Sequence, residues 1–343
     1  MRALMTLFLW PLVQLYRFFS YFHRLTFRSG LRHIVKLSKP VISVGNITVG
    51  GTGKTAVVDY LLTQLEAKGL KCCVLTRGYG RKSNATIIIS ETSRAEEVGD
   101  EPLWLYQKHP QAKILVSNER AKAATTINDV DVFIMDDGLQ HYELARDYEI
   151  ILIDSTRPDW HYDLLPLGFA RESWSALLRA DLVLITRANQ VSDDRIDQLA
   201  DRIFKTTMID LSQSVINFKQ CLDIRTSQSI EVKGVKAFLI SGIANPASFE
   251  RLAKDTGIIV LGHKTRDDHA VYTLENVNEY LKLAQNSGAQ IALITEKDAV
   301  KWREIFKAKS SQVTLFPVGI IETSLQFEPS IENIYDAASH HFN

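Results

Sequence analysis

The stretch VGNITVGGTGKT, Val44 to Thr55, decides how the rest of this chain is read. It overlaps the apolar run PVISVGN (40–46) and closes in Gly53, Lys54 and Thr55, the end of a phosphate-binding loop between a buried strand and a helix. The usual spacing G-x-x-x-x-G-K-[ST] would place its first glycine at position 48, where this chain has Thr48. The mechanism tolerates that departure. Gly50, Gly51 and Gly53 let backbone N–H groups turn onto phosphate oxygens, Lys54 reaches the terminal phosphates, and Thr55 is placed to hold Mg2+. With Thr48 and Thr52 these residues form the expected nucleotide site. Partition-type ATPases with a related loop carry a lysine just before the glycine pair, and Val49 argues against that class.

Working outward, VFIMDD (132–137) is an apolar strand ending in Asp136 and Asp137, which delivers carboxylates to a loop-bound magnesium; the bland alternative is a solvated turn. Guanine recognition would show as [NT]-K-x-D after a later strand. The candidate TRAN (186–189) lacks both the lysine and the aspartate, which favours ATP.

Around these motifs short apolar runs alternate with helical patterns. Strands are expected at 40–46, 71–77, 112–118, 130–137, 148–155 and 180–187, and helices at 54–68, 101–109, 119–128 and 193–205. Residues 206–235 change to extended, partly alternating, hairpin-like material. Alternation then resumes with strands at 235–243, 257–263 and 289–298 and helices near 246–255, 275–286 and 297–307. The expected fold is α/β and two-lobed: a phosphate-loop NTPase-type, mostly parallel sheet at 39–205, an extended connection at 206–235 and a smaller α/β lobe at 236–343.

The 343 residues carry 40 basic and 40 acidic side chains, but seven of the bases and none of the acids lie in residues 1–39. Ala3 to Tyr16 is uncharged for 14 residues, too short to span a bilayer as a helix at roughly 20 apolar residues, and Pro11 is expected to interrupt it. Gln14, Arg17, Tyr21, Arg24 and Arg28 recur at helical spacing, while Leu12, Leu15, Phe18, Phe19 and Phe22 fall elsewhere around the turn. Residues 1–38 therefore read as an amphipathic helix lying on an anionic membrane surface. A secretory signal is disfavoured because no small-x-small cleavage site follows. Cys72, Cys73 and Cys221 form no C-x-x-C pair and read as reduced thiols.

Taken in order, the apolar basic N-terminus, VISVGNITVGGTGKT, TRGYGR (76–81), GDEP (99–102), MDDGLQH (135–141), LLPLGFARE (164–172), DDH (267–269) and TEKDAVK (295–301) run through nearly the whole chain. The chain resembles the tetraacyldisaccharide 4'-kinases, the lipid A 4'-kinases of Gram-negative bacteria, whose own loop form is T-x-G-G-T-G-K-T. Ala56, Ala170 and Leu139 depart from the family's usual proline, leucine and aromatic. The resemblance implies transfer of the ATP γ-phosphoryl group to the 4'-hydroxyl of a tetraacylated glucosamine disaccharide 1-phosphate. It implies Lys54 and Thr55 on phosphates and metal, Glu101, Asp136 and Asp137 in the magnesium shell, Asp100 as the base and His269 as its partner. Arg77, Arg120, Gln140 and Arg171, which stand in or between the same motifs, are the implied substrate contacts. From the residues alone, Asp100 could equally cap a helix, and each arginine could sit in a surface salt bridge. The chain is expected to work as a monomer in peripheral or monotopic contact with the cytoplasmic face of the bacterial inner membrane, with no nucleic-acid partner.

Two rival readings remain at this level. One is a phosphate-loop NTPase acting as a regulatory or insertion factor without a lipid acceptor. The other is a membrane scaffold that binds nucleotide for stability alone.

Overall fold

The apolar runs are strands buried on both faces, as Val41–Asn46, Val132–Asp136 and Tyr148–Asp154 are throughout. The computed structural model describes residues 2–268 and 270–342. In chain order its elements are α1 (Arg2–Arg28), β1 (Val41–Asn46), α2 (Lys54–Ala67), β2 (Cys72–Thr76), β3 (Ile87–Ile88), α3 (Ala95–Val98), α4 (Asp100–Lys108), β4 (Lys113–Val116), α5 (Arg120–Ala124), β5 (Val132–Asp136), β6 (Tyr148–Asp154) and β7 (Leu182–Thr186). They continue as α6 (Asp193–Thr206), β8 (Asp210–Asp223), β9 (Lys236–Ser241), α7 (Pro246–Asp255), β10 (Ile259–Thr265), α8 (Leu274–Asn286), β11 (Ile291–Thr295), α9 (Glu296–Ala308), β12 (Val318–Glu328) and α10 (Ile334–Phe342). Most lie within a residue or two of expectation. The helix expected at 119–128 closes at Ala124, where the hydroxyls of Thr125 and Thr126 donate back to the carbonyls of Lys122 and Ala123.

One sheet holds every strand, in the order β10-β9-β11-β12-β8-β7-β6-β1-β5-β2-β4-β3. Its first half, from β8 to β4, is parallel; β12 then runs antiparallel to β8, so β9, β10 and β11 point the other way. Chain order reverses on either side of β1, and the carboxyl ends of β1, β2, β5 and β7 open on one edge. That edge is where open α/β sheets bind ligands.

Residues 206–235 pair with themselves only around a tight turn, where Leu222 bridges Ser229 and the Ile230 N–H donates to the Cys221 carbonyl (2.8 Å). The 14-residue β8 pairs with β7 on one side and with β12 on the other, from Gly319↔Asp223 to Glu328↔Gln213. Its alternation was legible; its partner β12, more than 90 residues away, was not. Neither β12 nor α10 was anticipated. α10 folds back, and Ile331, Ile334 and Ala338 share a core with Ile42, Val44 and Leu152 of the first half. Fully burying an isoleucine contributes about 1.5–3 kcal/mol, so Ile331 and Ile334 tie the C-terminus to the phosphate-loop half.

Pro11 does not interrupt α1, which is continuous over 27 residues. A proline inside a helix costs about 3 kcal/mol. Packing offsets part of that here: Val13 and Phe27 are buried against the body, and the Phe27 and His23 rings meet Tyr142. Phe8, Trp10, Leu12, Leu15, Phe18, Phe19 and Phe22 stay exposed on α1. The basic stripe is divided: Arg17 and Arg28 face solvent, whereas Arg24 turns inward to within 4.0 Å of Glu172. No helix among the described residues is long and apolar enough to cross a membrane. All three cysteines are free and buried, and burial pushes each thiol up to about 12.

Candidate active site

The phosphate loop leaves β1 and enters α2 through two left-handed turns, at Gly50 (φ 97°) and Gly53 (φ 96°), which residues with a Cβ rarely adopt. Lys54 is the first residue of α2, so the positive end of the helix dipole and its free N–H groups face the loop. Thr48, where the common pattern has glycine, serves a different purpose. It bridges to the main chain at Ala170, and its hydroxyl accepts from Asn46 Nδ2 at 3.2 Å. From the other side Thr186 donates its hydroxyl to the Thr52 carbonyl (2.9 Å), and Arg187 Nη2 donates to the Gly51 carbonyl (3.3 Å). The Thr52 hydroxyl is buried without a partner among the described residues, as a group reserved for a ligand would be.

Two carboxylates at the tip of β5 face this loop in different electrostatic states. Lys54 Nζ lies 3.5 Å from Asp137 Oδ1 and donates to Asn46 Oδ1 (3.1 Å). Arg171 grips both Asp137 oxygens at 3.1 and 2.8 Å and also reaches Asn46 Oδ1 at 2.8 Å. Burial opposes ionisation of Asp137, but Lys54, then Arg171 and Arg120, outweigh it and hold the carboxyl well below its usual range. Asp136 is pushed up to about 6, first by burial and then by the Glu101 charge. One of its oxygens accepts from the Thr76 hydroxyl (3.1 Å); Oδ1 is buried with no partner among the described residues.

The opposite wall comes from α4 and α9. Thr55 donates its hydroxyl to Glu101 Oε2 (2.6 Å), and Lys297 Nζ bridges Glu101 Oε1 (2.8 Å) to Asp268 Oδ1 (2.6 Å). One turn further along α9, Lys301 Nζ lies 3.0 Å from Asp100 Oδ2 and donates to the Ala270 carbonyl (2.9 Å). Burial opposes the charge on Lys297, yet Glu101, Asp100 and Asp268 hold the ammonium above its ordinary range. α9 is aimed by its own cap: the Thr295 hydroxyl accepts from Asp298 N (3.2 Å) and donates to Asp298 Oδ2 (2.6 Å). Behind this wall Lys108 joins Asp59 of α2 (2.8 Å) to Glu296 of α9 (3.4 Å).

The family model described as tetraacyldisaccharide-1-P 4'-kinase matches residues 5–337. The chain belongs to this family. It is 35% identical over 289 residues to the tetraacyldisaccharide 4'-kinase of Bdellovibrio bacteriovorus, covering 81% of this chain and 84% of that one. It is also 35% identical over 305 residues to the enzyme of that name from Neisseria meningitidis, covering 86% and 82%. Its fold superposes on the crystal structure of LpxK from Aquifex aeolicus in complex with ATP with a TM-score of 0.76 and 28% identity, over 99% of this chain and 100% of that one. The chain is therefore an ATP-using kinase with the phosphate-loop fold expected from its sequence.

In this kinase the expected residues divide by what they touch. Lys54, Thr55, Glu101, Asp136 and Asp137 converge on one cleft. Asp100 is the first residue of α4 rather than its N-cap, which is Gly99, and its carboxylate lies 3.0 Å from Lys301 Nζ. Arg171 holds Asp137 and Asn46, and its own carbonyl accepts from Tyr16 of α1 at 2.9 Å. Arg120 is buried, and its Nη1 donates to the carbonyls of Asp136 (2.6 Å) and Asp137 (3.4 Å), fixing the turn that presents them. Arg77, after β2, is exposed with no side-chain hydrogen bond among the described residues, and Gln140 is half-buried with none. His269 lies outside the described residues. Sequence reasoning missed Asn46, Thr76, Thr186, Arg187, Asp268 and Lys301. All six stood inside stretches already quoted, but nothing local showed, for instance, that an asparagine ending a strand would receive two cations.

Proposed function

We propose that this chain transfers the γ-phosphoryl group of ATP to the 4'-hydroxyl of a tetraacylated glucosamine disaccharide 1-phosphate, giving the bis-phosphorylated lipid. The observation that carries this reading is the position of Asp100. It is a buried carboxylate in the first turn of α4, held 3.0 Å from Lys301 Nζ and beside the Glu101 that hydrogen-bonds the phosphate-loop threonine. A hydrolytic switch protein needs no second, separately supported carboxylate there.

In this reading the loop amides, Lys54 and the N-terminus of α2 hold the β- and γ-phosphates. Asp100, with His269 as partner, takes the proton of the attacking sugar hydroxyl as the oxygen forms its bond to the γ-phosphorus and the bridging oxygen leaves with ADP. The donor set suits Mg2+: the Thr55 hydroxyl, Glu101, the orphaned Asp136 Oδ1 and Asp137. Among the described residues no three His, Cys, Asp or Glu side chains group closely enough to hold a metal ion by themselves. When bound, the ion would neutralise charge building on the transferring group. Arg171 and Arg120 brace the acid pair, leaving Arg77 and Gln140 for the acceptor.

The exposed aromatic face of α1 supports peripheral contact with an anionic membrane, at the cytoplasmic face of the inner membrane where ATP is available. The functional lobes are 39–205 and 236–343, joined through 206–235, with one chain sufficient for turnover. The test is incubation with ATP labelled at the γ-position and detergent-dispersed acceptor. Label should move into the lipid at the 4'-oxygen; release as inorganic phosphate with no labelled lipid would overturn the reading.

A further inference from the structure

A cavity of about 340 Å³ lies against the last turns of α1 and shares no lining residue with the phosphate loop. Four arginines line it, Arg24 and Arg28 from α1 and Arg146 and Arg179 from the body, against two carboxylates, Glu149 and Asp181. The acids are already committed: Glu149 to Arg146, and Asp181 to the Glu149 backbone N–H at 2.7 Å. Arg146 also donates to the carbonyls of Leu139 (3.1 Å) and His141 (2.7 Å), but the other three arginines are less completely used. Arg179 gives one nitrogen to Glu172 (2.9 Å), Arg24 reaches only 4.0 Å from Glu172, and Arg28 is exposed with no ion pair among the described residues. Positive charge is therefore in excess. Phe27, Ile34 and Leu144 supply an apolar wall.

We infer that this cavity is a second anion site, taking the phosphate ester of a membrane amphiphile. Guanidinium groups match phosphate oxygens in pairs, and the apolar wall beside the exposed aromatic face of α1 fits the start of an acyl chain. The site is linked to the reaction centre by adjacent residues. Arg171 clamps Asp137, and its neighbour Glu172 takes Arg179 and the Tyr142 hydroxyl (3.0 Å), both of which line the cavity. Occupancy would thus bear on the segment that holds the acid pair.

Two sources share this chemistry: a glycerophospholipid headgroup, or the 1-phosphate of the acceptor itself, the second resting on the proposed function. The full chain is titrated by calorimetry with dihexanoyl phosphatidylglycerol below its micellar concentration, with dihexanoyl phosphatidylcholine as control. KM is measured in parallel for acceptor with and without its 1-phosphate. Two variants are used: Arg24→Gln with Arg28→Gln, and Ala145→Phe, which fills the cavity without changing charge. Arg24→Lys with Arg28→Lys, together with thermal melts, controls for folding.

One phosphatidylglycerol per chain, bound at least tenfold more tightly than phosphatidylcholine and lost in both variants, assigns the site to phospholipid. A rise of tenfold or more in KM confined to the phosphorylated acceptor, with no phosphatidylglycerol binding, assigns it to the substrate. Binding that survives Ala145→Phe with KM unchanged, or no binding and no KM effect, overturns the inference. Phosphoryl transfer in the same preparations is read separately, so loss of this site and failure of the kinase reading are distinguishable.

Discussion

The two walls of the cleft are built differently. On the phosphate-loop wall, Lys54, Asn46 and Thr55 lie within ten residues of one another, and two glycine turns and a helix N-terminus place their ligand-binding groups. On the α4–α9 wall, Lys297 meets Glu101 across 196 residues, and Lys301 meets Asp100 only because α9 packs on α4. The first wall depends on local backbone geometry, the second on how the halves of the sheet are docked. Damage to the first should therefore disturb nucleotide handling wherever it falls. Damage to the second should misplace reacting groups while ATP still binds.

The largest effect expected is at Asp100. Asp100→Asn keeps size and most packing but removes the proton acceptor, so kcat should fall on the order of 10²–10⁴ with the ATP KM and melting temperature near wild type. A nearly unchanged kcat would show that the α4–α9 wall is scaffolding. Next is Lys54→Ala, expected to lower kcat by on the order of 10²–10³ and to raise the ATP KM, because this cation meets phosphate in ground and transition states alike. Smaller still is Lys301→Met, which leaves Asp100 in place but loosely held; kcat should drop on the order of 10–10² with the ATP KM unchanged. If Lys301→Met raised the ATP KM as much as Lys54→Ala, the distinction between the walls would fail.

The smallest effect concerns stability rather than rate. His141 is pushed down to about 3, by burial first and then by Arg120, Arg146 and Arg77. The unfolded chain therefore takes up this proton while the folded one resists it, and stability is lost as pH falls from about 6.5 toward 3. The ring is only half-buried, so the loss is about 1–2 kcal/mol after solvent screening. His141→Asn should flatten that part of the pH dependence of melting, and an unchanged acid limb would show that the arginine cluster leaves the ring unperturbed.

Much was legible because it is periodic or contiguous. Buried strands reveal themselves as unbroken apolar runs, and α7 falls where its pattern put it, at Pro246–Asp255. β12 escaped notice because its outer half alternates between buried and exposed positions and its meaning lies in its partner β8. Thr48 looked like a defect in a motif until its bridge to Ala170 gave it a use. Arg120 and Arg171 were recognisable as arginines in motifs, but whether they face a substrate or brace the acid pair depends on which carbonyls and carboxylates surround them.

By itself the sequence determined the class of chemistry, since a phosphate loop is a short run of backbone conformations and side chains whose spacing has few alternatives. It determined the alternating strands and helices for the same reason, because local periodicity and burial are coupled residue by residue. The tertiary structure alone decided that Lys301 stands at Asp100, that Asn46 collects Lys54 and Arg171, and that α1 turns Arg24 inward while its aromatic rings stay outside. Those pairings are set by the docking of distant elements, where charge, burial and geometry act between residues that no local pattern relates.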